Sequence, residues 1–131
     1  MNSTEQIIIF DRKDVQMFAQ LIGDSNPIYK DIKSAKEYGF TTIPLPPTMP
    51  MIAYKWVKTP WQFQAPLIHR KQQGISYESM YIDVPYSAIV NLHVASKRKK
   101  FMLIEQTMLL YNDEDVLCFK GISNLIAGGM K

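Results

Sequence analysis

The ten residues Thr41 to Pro50, TTIPLPPTMP, hold four of the chain's eight prolines. Each proline locks its own φ and turns the residue before it away from the helical region. The stretch is therefore a stiff, extended strap. After it, Met51, Ile52, Ala53, Tyr54, Trp56 and Val57 leave Met51 to Lys58 almost no polar face, the pattern of a helix buried on most sides. Thr48 is placed to cap this helix, with Met49 and Pro50 in the first turn, where a proline lacks no needed donor. An all-apolar helix hung from a rigid strap needs a sheet large enough to bury it.

The remaining sequence supplies that sheet. Glu5 to Phe10 reads as a short strand. Asp11 then opens a helix, with Asp14 in its first turn and Val15, Phe18, Ala19 and Ile22 along one apolar stripe until Gly23. A second short helix is expected over Ile32 to Tyr38, opened by Asp31 and closed by Gly39. From Gly74 onward the pattern turns to strands at Ile75–Ile82, Ser87–Ser96, Phe101–Tyr111 and Val116–Ala127. Lys97–Lys100 and Asn112–Asp115 fall between them as hairpin tips. Val90, Leu92 and Val94 alternate with Asn91, His93 and Ala95, which gives that strand one wet face. Strand, helices and then an antiparallel meander argue for an α+β fold. At 131 residues the chain is expected to be a single domain, residues 1–131, with one core.

Several functional classes drop out on composition. Fifteen basic residues against twelve acidic ones, scattered along the chain, do not build a nucleic-acid face. No apolar run approaches the length of a membrane span, and the N-terminus lacks the pattern of a secretory signal. A single cysteine, Cys118, fits a reducing, cytoplasmic setting. His69, His93 and Cys118 sit in no metal-ligand spacing, and no glycine-rich phosphate loop is present, so no cofactor is expected.

The chemistry-bearing stretch is IGDSNPIYKD, residues 22–31, which gathers Asp24, Asn26 and Tyr29 beyond a helix end. On spacing alone Asp24 is a loop or capping carboxylate. IGDSNPIYKDIKSAKEYGF followed by IPLPPTMPM resembles the MaoC-like dehydratases, in particular their N-terminal, FAS1-like dehydratase domain, relatives of the (R)-specific enoyl-CoA hydratases and 3-hydroxyacyl-ACP dehydratases. LIHRKQQGISYESMYIDVPYSAI and the closing strands extend the resemblance over nearly the whole chain. It implies a hot-dog fold, an antiparallel sheet wrapped around one central helix, here Thr48–Val57. It also implies pairing with a second hot-dog domain, as a homodimer or heterodimer, around an acyl-CoA or acyl-ACP thioester.

Active members of that family hold the reacting water between an aspartate and a histidine five residues later. Asp24 matches the aspartate, and Asn26 and Pro27 match the loop. Tyr29 stands where the histidine belongs. A phenol, with an unperturbed pKa of about 10, donates hydrogen bonds but is a poor base beside an imidazole at about 6.5. The match also makes the N–H near Thr48, beside Pro47, the donor for charge on the thioester carbonyl, since N–H groups at a helix start are unpaired. Two functions follow. One is a hydratase or dehydratase for 2-enoyl and (3R)-3-hydroxyacyl thioesters, with Asp24 and Tyr29 as its catalytic pair. The other is a non-catalytic acyl-binding subunit whose partner carries the intact Asp/His pair.

Overall fold

The computed structural model describes residues 1–131. Strands β1 (Gln6–Ile9), β2 (Phe63–Ser76), β3 (Pro85–Lys97), β4 (Met102–Tyr111) and β5 (Leu117–Met130) form one antiparallel sheet in the order β1-β3-β4-β5-β2. Everything between β1 and β2 is helix or strap. Helix α1 (Arg12–Leu21), a 3-10 turn at Pro27–Tyr29, helix α2 (Ile32–Glu37) and a 3-10 helix at Met49–Lys55 follow in that order. They lie on the sheet's inner face and supply the other half of the core. Together these make the α+β, hot-dog arrangement.

Side-chain alternation decides that face. Tyr86, Ala88, Val90 and Leu92 of β3 are buried, as are Met102, Ile104, Met108 and Leu110 of β4, while their neighbours point outward. A one-residue slip would turn every one of them to water, so the pairing Val90↔Met108 and Met108↔Gly121 is strongly specified. Buried Tyr86 takes the Tyr81 N–H on its hydroxyl oxygen at 2.7 Å, and burial pushes its phenol up to about 12.

The helix expected over Thr48–Val57 is shorter and tighter than the sequence suggests. It is a 3-10 helix confined to Met49–Lys55, and Thr48 forms no side-chain cap. Its bonds span three residues, with Met51 N–H donating to the Thr48 carbonyl at 3.3 Å and Trp56 N–H to Ala53 at 2.9 Å. Pro50 has no N–H to give, and Ile52, Tyr54 and Trp56 are poor α-formers, so packing rather than propensity shapes the segment. It is seated where β2 and β5 carry paired glycines, Gly74↔Gly121. A Cβ on Gly121 would run into Met51 Sδ, and one on Gly74 into the Phe119 ring. Tyr54 then donates its hydroxyl toward the carbonyls of Gln106 (2.9 Å) and Gly121 (2.7 Å), tying the helix to two strands.

The strand expected at Ile75–Ile82 is displaced. β2 starts at Phe63 and leaves the sheet after Ser76. Tyr77 and Glu78 N–H both reach the Cys118 carbonyl, at 2.8 and 3.3 Å. The chain then turns to the strap: Leu45 N–H donates to the Met80 carbonyl at 2.8 Å and Ile82 N–H to Ile43 at 3.1 Å. Ile43 and Leu45 are buried, and buried backbone groups must be paired, so residues 80–82 serve the strap instead of the sheet. The other expected strands and both hairpin tips are present within a few residues, and His69 lies on the edge strand β2.

Replacing Gly121 with alanine is expected to destabilise the chain by about 1–3 kcal/mol, the usual cost of overpacking a close contact. Urea denaturation of Gly121→Ala, with Ser123→Ala as a control on the same strand, measures it.

Candidate functional site

Gly23 sets the path of the site loop. It follows the last turn of α1 with φ 72°, a conformation that costs a glycine little. Its N–H donates to the Gln20 carbonyl at 3.1 Å and the Asp24 N–H to Ala19 at 2.9 Å, the paired closure of a Schellman motif. The helix start is equally well defined, because Asp11 and Asp14 exchange side-chain and backbone bonds in a capping box.

Past the glycine, three short polar side chains hold the backbone in succession. Asp24 Oδ1 accepts the Asn26 N–H at 3.0 Å, Asn26 Oδ1 accepts the Ile28 N–H at 3.2 Å, and Asp31 Oδ1 accepts the Ser34 N–H at 2.7 Å. The bond from Ser34 holds the Asp31 carboxyl below its usual range. Asn26 heads the 3-10 turn with Pro27 at its first position, where the fixed φ suits. Local bonds thus turn Ile28 and Tyr29 inward, to 8% and 7% exposure, and leave the Asp24 carboxylate in water. The capping reading and the site reading of Asp24 are compatible, because one oxygen makes the turn bond.

Tyr29 lies between two clefts. The larger, about 460 Å³, has Tyr29, Ile28, Phe40 and Met80 on its walls, with Pro47 and Pro50 from the strap and Glu78 from the segment after β2. The second, about 370 Å³, is lined mostly by polar residue types, with Asp24, Asn26, Gln16, Gln20, Lys30 and again Tyr29 on its walls. Asp24, Asn26 and Tyr29 therefore come together, and Pro47 meets Tyr29 across the larger cleft. Thr48 lines neither; it is exposed, and its N–H has no backbone acceptor. Burial first, and then the charge of Asp24, raise the Tyr29 phenol above its ordinary value. It is therefore protonated at neutral pH and able to donate a hydrogen bond.

Phe40, Glu78 and Met80 were not singled out by the sequence. Glu78 and Met80 lie in the stretch that reads as strand, and only the strap's demand for partners brings them to the cleft. Of the other candidates, His93 is exposed on β3 across from Glu105, and Cys118 is buried and free. No helix is long and apolar enough to cross a membrane.

The model of the FAS1-like dehydratase domain region matches residues 1–116. The chain belongs to that family. Among curated proteins, a UPF0336 protein of Thermobifida fusca (strain YX) is 46% identical over 41 residues, a match spanning 31% of this chain and 27% of that protein. The C-terminally truncated HadBC (3R-hydroxyacyl-ACP dehydratase) complex of Mycobacterium tuberculosis contains a chain that superposes with a TM-score of 0.82 at 16% identity, covering 96% of this chain and 94% of that one. The (R)-hydratase of A. caviae involved in PHA biosynthesis gives 0.74 at 15% identity, over 95% and 92% of the two chains. The ChsH1–ChsH2 complex of M. tuberculosis gives 0.74 at 14%, over 95% and 83%. At these identities the likeness is one of fold, and the fold of this FAS1-like dehydratase-region chain is the hot dog.

Asp24→Asn is expected to bring the Tyr29 titration down, because it removes the anion that opposes phenolate formation. The raised phenol favours the folded state below its unfolded pKa of about 10, and that contribution fades as pH rises through the folded value. Difference spectrophotometric titration of wild type, Asp24→Asn and Tyr29→Phe isolates the signal.

Proposed function

We propose that the chain acts in the hydration of 2-enoyl thioesters, or the dehydration of (3R)-3-hydroxyacyl thioesters, carried on CoA or acyl carrier protein. The observation that supports this reading is the placement of Asp24 and Tyr29 on one capped loop, both on the cleft of about 370 Å³, with Tyr29 also on the wall of the adjoining cleft of about 460 Å³. That volume is in the range of small-molecule sites. In hydration a water oxygen adds to the β-carbon, a proton reaches the α-carbon, and negative charge builds on the thioester carbonyl. Asp24 is the carboxylate that orients the water and accepts its hydrogen bond. Tyr29, protonated, donates to an oxygen of water or substrate.

The raised pKa of Tyr29 favours a second reading. A phenol held protonated cannot take the proton that a histidine at this position would take. On this reading the chain holds the acyl thioester and pairs with another hot-dog domain that carries the complete Asp/His pair. The structures named above as HadBC and ChsH1–ChsH2 are, by name, complexes of two components.

Crotonyl-CoA hydration by wild type, Asp24→Asn and Tyr29→His tests both readings. Slow turnover by wild type, loss of it in Asp24→Asn, and a gain in Tyr29→His of about 10²-fold or more are expected from general acid–base catalysis. Thioester binding without turnover in wild type selects the acyl-holding subunit. Neither binding nor turnover at any chain length overturns the proposal.

A further inference from the structure

The larger cleft has one sign of charge. Glu78 is the only charged side chain among its lining residues, and no lysine, arginine or histidine lines it. Lys30, the one cation on the walls of either cleft, belongs to the other. The strap contributes Pro44, Pro46, Pro47 and Pro50. Proline has no N–H, so these four offer a ligand carbonyl oxygens and no backbone donors. An anion entering here would give up water and meet a carboxylate, with little to replace the bonds it lost.

The aromatic walls favour the opposite charge. Tyr29, Phe40 and Tyr77 all line the cleft. The face of an aromatic ring attracts a cation, and ammonium and quaternary ammonium groups are the ligands such rings recognise. The Asp24 charge also reaches Tyr29 from the second cleft, with the same sign as Glu78.

Glu78 is presented by a fixed backbone. Its N–H and that of Tyr77 donate to the Cys118 carbonyl at 3.3 and 2.8 Å, and the Met80 carbonyl accepts the Leu45 N–H at 2.8 Å. The segment is thus tied to β5 on one side and to the strap on the other. Glu78 itself is exposed, so water screens it, and its effect is selection among ligands more than tight binding.

We propose that the cleft of about 460 Å³ is a cation-selective ligand site, with Glu78 as the residue that sets the sign. It takes an acyl tail that ends in an ammonium or quaternary ammonium group and turns away one that ends in a carboxylate. The proposal rests on the thioester reading for what carries the tail, and on the cleft alone for the charge.

Three probes of nearly equal shape test the charge without any thioester. Choline is cationic, 3,3-dimethylbutan-1-ol neutral and 3,3-dimethylbutanoate anionic. Each is titrated by NMR into wild type, Glu78→Gln and Asp24→Asn at low and high salt, with the amides of Phe40 and Met80 reporting on the cleft. Wild type is expected to bind choline about threefold or more tighter than dimethylbutanoate, with the alcohol between and the gap narrowed by salt. Glu78→Gln should bring cation and anion within about twofold of each other. Asp24→Asn should leave the order in place, because Asp24 lines the second cleft. Equal binding of cation and anion by wild type overturns the proposal, and so does an order that survives Glu78→Gln. Probes that leave the cleft amides unmoved overturn it as well. An intact order in a protein that binds no acyl thioester overturns only the thioester reading.

Discussion

The architecture depends on one contact, the seating of the 3-10 helix Met49–Lys55 in the sheet. Gly74 and Gly121 lie opposite each other on β2 and β5, and the space their missing side chains leave is filled by Met51 and the Phe119 ring. Tyr54 adds a polar anchor at the same place, its hydroxyl placed between the carbonyls of Gln106 and Gly121. Trp61, just after the helix, donates from its indole nitrogen to the Gln106 side chain at 3.0 Å. Close packing lets a seven-residue helix of poor propensity hold its shape, because dispersion and burial act over its whole surface. With the helix placed, the strap before it has one course, and the strap forms one wall of the larger cleft.

The site loop is governed differently. From Gly23 to Ser34 most of its course follows bonds between residues no more than five apart, the Schellman closure and then Asp24, Asn26 and Asp31 each capping the backbone ahead, while Arg12 and Gln16 of α1 donate to the Lys30 carbonyl at 3.0 and 3.2 Å. Such a loop carries its shape with it, and the core has only to accept Ile28 and Tyr29. The result is a rigid presentation of a carboxylate in water and a phenol in shelter, five residues apart on one turn. Their environments differ, the carboxylate accepting a backbone N–H in water and the phenol kept protonated by burial. The Asp24 cleft and the proline-lined cleft share only Tyr29.

The two edges of the sheet differ as well. β1 is four residues long and is continued by helix, whereas β2 is long, bulged, exposed and basic at its centre.

What could be read from the sequence was whatever depends on neighbours in the chain. The α1 stripe, the caps at Asp11 and Asp31, the stop at Gly23, the alternation in β3 and the hairpin tips all rest on short-range geometry. The site reading of Asp24 rested instead on the family resemblance, since loop geometry alone makes it a capping carboxylate. Three features were decided only in three dimensions. The helix at Met51 became a short 3-10 segment because Ile52, Tyr54 and Trp56 are poor α-formers and packing into the glycine seat set its shape. β2 began at Phe63, unannounced, because an edge strand exposed on both faces has no alternation to show. Glu78 and Met80 reached the cleft because buried strap carbonyls and amides needed partners, a demand that arises only when distant segments are packed together. Local hydrogen bonds are written in the order of the residues. Burial is a property of the whole chain, and it is burial that placed the walls of the site and raised the phenol of Tyr29.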